Sequence, residues 1–172
     1  MINPMRLKTV FIGAVLLGFS TILPAQGGNP VPTTEFVFEI RAELAPTEVL
    51  GDTKDGMRQV IPITGGTVTG PGITAEIVPG GADYQLVRPD GVRELEAVYM
   101  IRTDDGALIN VVNEGIIVDP QVNNGEAYIM TTPRFTAPLG KYDWLNKTVF
   151  VSRITGGSDS PRAVHISVYR VR

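Results

Sequence analysis

Thr34-Glu35-Phe36-Val37-Phe38-Glu39-Ile40-Arg41-Ala42-Glu43-Leu44 alternates between apolar and polar residues. Phe36, Phe38, Ile40, Ala42 and Leu44 share one face, and Glu35, Glu39, Arg41 and Glu43 share the other, with Val37 the exception. A helix would scatter these residues around its circumference. A strand, whose side chains point to alternate faces, collects them on one half-buried side. The same rhythm continues along the chain. Residues 73–78, 83–88, 92–103, 107–118, 126–135, 147–154 and 163–171 read as strands, with shorter ones at 58–63 and 67–69. Gly70-Pro71-Gly72, Pro89-Asp90-Gly91, Asp104-Asp105-Gly106 and the stretch 155–161 supply hairpin turns between them. Residues 51–56, 64–66 and 79–82 read as breaks, and one helical turn is expected near 142–145.

Nine or ten short strands with no sustained helical period and no strand–helix–strand rhythm predict an all-β domain. A single closed antiparallel β-barrel, or a tightly curled sandwich, removes the edges that so many strands would otherwise leave bare. Composition agrees. Of 172 residues, 19 are Gly and 13 are Pro, well above the usual share of about 12% for the pair. Hydrophobic residues make 43% and charged residues 19%, a globular balance. The net charge of −3 argues against nucleic acid as a partner. With no Cys and one His, no disulfide, thiolate zinc site, multi-His metal centre or Cys nucleophile is expected. No cofactor is implied.

Before the first strand the chain reads as an address. Arg6 and Lys8 precede the apolar run 10–23, and Pro24-Ala25-Gln26 offers a small residue at a cleavage point. The run of about 14 residues falls short of the ~20 that span a bilayer. Residues 1–25 are therefore expected to be a secretory signal, 26–33 a loose tail and 34–172 the barrel. The expected location is secreted or periplasmic, with no membrane contact after cleavage and no lipid-anchor Cys. Removal of Arg6 and Lys8 leaves 13 basic and 18 acidic residues, a mature charge of −5.

Few residues carry chemistry. Thr64-Gly65-Gly66-Thr67-Val68-Thr69-Gly70-Pro71 lacks the Lys-Ser/Thr ending of a phosphate loop, so its glycines read as bulges and corners. Asp83 follows the Pro79-Gly80-Gly81-Ala82 corner, where a side chain can be aimed into a cavity. Asp83 and Asp104 are the candidate bases, although an Asp pair before Gly is ordinary turn chemistry. His165 lies on the polar phase of its strand and reads as a surface or lining group. Arg88, Arg102 and Arg134 lie near strand ends, and a guanidinium is the preferred receptor for a carboxylate or phosphate; the alternative for each is a surface ion pair with one of the 18 acids. Tyr142, Trp144 and Asn146 follow them in sequence, either as the mouth of a ligand site or as a cap on the barrel end. Asn146-Lys147-Thr148 also matches a glycosylation acceptor.

Several blocks together resemble the family catalogued as domain of unknown function 3237, also uncharacterised protein family 0311. They are Ile61-Pro62-Ile63-Thr64-Gly65-Gly66-Thr67-Val68, Val78-Pro79-Gly80-Gly81-Ala82-Asp83-Tyr84-Gln85, Arg102-Thr103-Asp104-Asp105-Gly106-Ala107-Leu108-Ile109, and Thr132-Pro133-Arg134-Phe135 followed by Tyr142-Asp143-Trp144-Leu145-Asn146. The resemblance implies a small calycin- or lipocalin-like barrel and no settled activity. Thr136 stands where the family often has an acid, so no such acid is essential here.

The leading expectation is a barrel that binds a small anionic or carbonyl-bearing organic ligand through Asp83, Arg88, Arg102, Arg134, Tyr142, Trp144 and Asn146. A second is a cofactor-free isomerase, cyclase or lyase with Asp83 or Asp104 as base. A third is a structural module, and homo-oligomerisation is left open. Convergence of these residues on one cavity would favour the first two.

Overall fold

Alternating burial runs through the computed structural model, which describes residues 30–156 and 162–172. The expected signal at 1–25 and the tail up to residue 29 lie outside the described residues. Of the remaining tail, residues 30–33 are exposed coil, and Thr33 exchanges two backbone hydrogen bonds with Arg172.

Among the described residues nine strands follow: β1 Thr34–Leu44, β2 Glu48–Thr53, β3 Gly56–Gly70, β4 Ile73–Val87, β5 Arg93–Thr103, β6 Leu108–Val118, β7 Tyr128–Thr136, β8 Phe150–Gly156 and β9 Ala163–Val171. A 3-10 turn, Asp143–Lys147, lies between β7 and β8. All pairings are antiparallel, in the order β1-β9-β8-β7-β6-β5-β4-β3, and β3 pairs back to β1 to close eight strands into a barrel. The ninth, β2, adds only to the first half of β3. Barrels of eight strands are just wide enough to be filled by side chains or to hold one small ligand.

Two expectations change. Residues 58–63 and 67–69 are one strand, β3, and 73–78 and 83–88 are one strand, β4. The glycine-rich stretches between them are bulges within continuous ladders. From Val78 to Ala82, β4 advances four residues while β5 advances two. Glycine is needed there because a Cβ on Gly81 would fall 2.4 Å from the Tyr99 Cβ, and one on Gly66 would fall 2.0 Å from the Arg41 carbonyl oxygen. The other change is β2, read in sequence as part of a loop. Its Val49 and Leu50 are exposed, so it has no buried face to set an alternation.

The two halves of the barrel are packed differently. Around the 3-10 turn the core is aromatic. Phe38 meets Phe135 edge-on at 5.6 Å, Phe135 meets Phe150 at 5.0 Å, and Trp144 meets Phe150 at 6.0 Å. Each fully buried Phe contributes roughly 2–3 kcal/mol of burial, and each edge-on pair about 1 kcal/mol more. Ile101, Ile109 and Val111 fill the space beside them with no exposed surface. The ladder between β7 and β8 covers only Met130–Arg153 and Thr131–Ser152. Beyond it the 3-10 turn packs its buried Leu145 into the core.

Candidate functional site

At the other half, between the first residues of β5 and the last of β6, the barrel is hollow. The cavity measures about 210 Å³. Strand register builds its wall. Ile61, Asp83, Ala97 and Asn113 stand opposite one another across β3, β4, β5 and β6, and Gln59, Gln85 and Leu95 form the next row. Tyr99 lies opposite the Gly81 bulge, and Arg93 begins β5 at the rim.

The polar groups form a partly connected set. Gln59 Nε2 donates to Gln85 Oε1 at 2.6 Å, and Gln85 Nε2 donates to Asp83 Oδ2 at 2.5 Å. One carboxylate oxygen is thus held while the other is left over. Asp83 Oδ1, Arg93 Nε, Tyr99 Oη and Asn113 Oδ1 are buried without a hydrogen-bond partner. They are four of the five such side-chain atoms among the described residues, and all four residues line this cavity. An orphaned buried polar group is destabilising by about 1–3 kcal/mol, so four at one place need an explanation.

Burial pushes the Asp83 carboxyl above the usual carboxylate range, against the Gln85 hydrogen bond, the nearby Glu96 backbone and the charge of Arg93. Burial also raises the Tyr99 phenol, which stays neutral. Arg93 Nη2 stands 3.9 Å from Asp119 Oδ2. The arrangement offers one acid–base group, one cation at the rim and two neutral hydrogen-bonding side chains. No cluster of three or more His, Cys, Asp or Glu suited to a metal ion occurs among the described residues.

Of the residues singled out in the sequence, the structure brings only Asp83 to this cavity. Arg88 is held in the β4–β5 turn by Asp90 and by Glu94 at 3.3 Å. Arg102 lies on the exposed phase of β5. Arg134 is exposed and pairs with Glu114 at 2.6 Å; with Asn146 it lines a separate lateral cleft where β7 parts from β8. Tyr142, Trp144 and Asn146 belong to the cap. The Tyr142 hydroxyl donates to Asp105 Oδ1 at 3.0 Å, and Trp144 packs on Phe150. Asn146 accepts from the Ala137 amide at 2.8 Å and donates to its carbonyl at 3.0 Å. Asp104 sits on the exposed β5–β6 turn, far from the hollow half. His165 lies on the outer side, its Nδ1 2.9 Å from Glu39 Oε1.

Sequence reasoning passed over Gln85, Arg93, Tyr99 and Asn113. A signal for two of them was present. Tyr99 shares the buried phase of β5 with Leu95, Ala97 and Ile101, and Asn113 shares that of β6 with Ile109 and Val111. A polar residue on an apolar phase is the informative observation.

The family model described as protein of unknown function DUF3237 matches residues 32–171. A UPF0311 protein of Rhodopseudomonas palustris is 37% identical over 83% of this chain and 99% of its own length, and the crystal structure from that organism has a TM-score of 0.75. A UPF0311 protein of Clostridium acetobutylicum is 38% identical over 80% of this chain and 92% of its own, and the structure from that organism has a TM-score of 0.72. A fungal protein of Penicillium herquei named hydroalkoxylation enzyme is 28% identical over 71% of this chain and 74% of its own.

Proposed function

The chain belongs to the DUF3237 family of proteins of unknown function, and from that premise we propose that the hollow half of its barrel binds a small organic ligand. The supporting observation is the set of four orphaned polar atoms around one cavity. A cavity with a few convergent polar groups among apolar walls is the usual form of a small-molecule site. Arg93 and Tyr99 are placed to meet a carbonyl or hydroxyl oxygen, and Asp83 and Asn113 to accept from a donor. The leader-like composition of residues 1–25 supports export, which the intact mass of protein from its own host would test. Native mass spectrometry of that protein, before and after denaturation, tests the main reading. A stoichiometric small molecule released on denaturation supports it. An empty protein that no small molecule binds in solution overturns it.

A second reading is favoured by the fungal relative's name together with Asp83. Hydroalkoxylation adds an alcohol O–H across a carbon–carbon double bond. The proton leaves oxygen, oxygen bonds to one carbon, and a proton reaches the other. Such a reaction needs a group that takes and returns one proton. Asp83, with one oxygen fixed by Gln85 and a carboxyl pushed upward by burial, is the candidate. Under this reading Asp83→Asn lowers turnover of a bound hydroxy-alkene about 100-fold or more while affinity persists. Equal turnover by the variant would remove Asp83 from the chemistry.

A further inference from the structure

The unpartnered atoms around the cavity state what an occupant must supply. Asn113 Oδ1 accepts only, so it needs an O–H or N–H from the ligand. Arg93 Nε donates only and needs an acceptor. Tyr99 Oη does either, and Asp83 Oδ1 accepts when ionised and donates when protonated. A carboxylate group or a phosphate monoester dianion carries no donor and leaves Asn113 unanswered. A hydrocarbon leaves all four unanswered. A hydroxyl answers both kinds, because it donates and accepts at once.

Charge points the same way. The one cation among the described residues that line the cavity, Arg93, already acts on the Asp83 carboxyl within and stands 3.9 Å from Asp119 at the rim. An anionic ligand would meet a balanced site and would itself be stripped of water against Ala42, Leu44, Ile61 and Ile63. Size narrows the class. A cavity of about 150 Å³ holds benzene, so about 210 Å³ takes one ring with two or three substituent atoms.

We propose that the occupant of this cavity is a neutral single-ring compound bearing hydroxyl groups, held by Asn113, Tyr99, Asp83 and Arg93, and that carboxylates and phosphates are excluded. The proposal rests on the reading of the cavity as a ligand site and narrows it. Of the sequence-based expectation of an anionic or carbonyl-bearing ligand, it drops the anionic alternative.

The test uses three probes of similar size, resorcinol, benzoate and toluene, titrated into the folded protein and followed by the NMR signals of Ala97, Tyr99 and Ile166. Resorcinol is expected to bind at least about tenfold more tightly than either other probe, the factor that one unanswered buried polar group costs. Asn113→Leu is expected to weaken resorcinol about tenfold and to leave toluene unweakened. Tyr99→Phe, which keeps the ring, provides the same readout should the Asn113 variant not fold. Benzoate binding as tightly as resorcinol, or resorcinol indifferent to these substitutions, overturns the proposal and leaves the ligand-site reading standing. If none of the three shifts the cavity signals, this proposal falls, and the native mass measurement decides the ligand-site reading separately.

Discussion

The two halves of this barrel are built from the same strands and use them differently. Around the 3-10 turn, β5, β6 and β7 supply Ile101, Ile109, Val111 and Phe135, and the interior is packed solid. A few residues earlier on β5 and later on β6, the same inward phase supplies Ala97, Asn113 and Arg93, and the interior is hollow. The packed half is also bolted at its end. Asp105 accepts from Lys141 Nζ at 2.7 Å, Thr103 Oγ1 at 2.5 Å and the Tyr142 hydroxyl at 3.0 Å. In the hollow half four buried polar atoms are left without a partner. One half holds the fold, and the other carries buried groups that oppose it.

The largest test of this division is Phe150→Ala. Loss of a buried ring at the centre of the aromatic chain should lower stability by about 3–5 kcal/mol, and the melting temperature by ~10 °C. Resorcinol affinity, measured well below the new melting point, should hold. Affinity that falls with stability would show that the halves are one unit.

Next comes the bolt. The hydrogen bond from Lys141, followed by those from Thr103 and Tyr142, holds the Asp105 carboxyl well below the usual carboxylate range. A lowered carboxyl stabilises the fold above its unfolded value, near 3.9, and loses that contribution as pH falls through the folded value. Asp105→Asn should therefore melt lower than wild type at neutral pH and lose less on acidification. Glu35, Asp90, Glu114 and Asp143 are also held low by hydrogen bonds from basic side chains, so the difference between the two melting curves isolates Asp105. Parallel curves for the two proteins would remove the bolt from the argument.

The hollow half should respond with the opposite sign. Because burial raises the Asp83 carboxyl, the folded protein holds that proton more tightly than the unfolded chain. Stability then falls as pH rises from the ordinary carboxylate value through the folded one. Asp83→Asn should raise the melting temperature at neutral pH by about 2–4 °C, the shift that ~1 kcal/mol makes in a domain of this size. The gain should vanish near pH ~3.9 and below. A variant that melts lower at neutral pH would mean that the carboxylate is satisfied in the fold. The smallest effect is expected from Arg134→Ala. Its exposed pair with Glu114 stands outside the cavity, so neither melting temperature nor resorcinol affinity should move. A lost affinity would shift the ligand to the lateral cleft.

Much of the fold was legible because period-two alternation is a local property. The bounds of β1 and β9 read directly from the chain, and the helical turn was displaced by one residue at its start. β2 left no trace because neither of its faces is buried enough to demand apolar residues. Asp83 could be singled out since the Gly80-Gly81 corner beside it is written in the sequence. The aromatics and arginines could not be placed from the sequence for one reason. Proximity in sequence to a loop does not say which end of the barrel that loop closes.

The sequence by itself determined the class of fold, the family and the faces of most strands, because alternation and turn chemistry act over a few residues. Only the tertiary structure decided that β3 and β4 run unbroken through their glycine bulges, which depends on the strands that approach those glycines. Only the tertiary structure set Asp83, Arg93, Tyr99 and Asn113 around one cavity. They come from three strands and about thirty positions of chain; the β4–β5 and β5–β6 ladders set them side by side, and closure of β3 on β1 turns that face inward around the hollow.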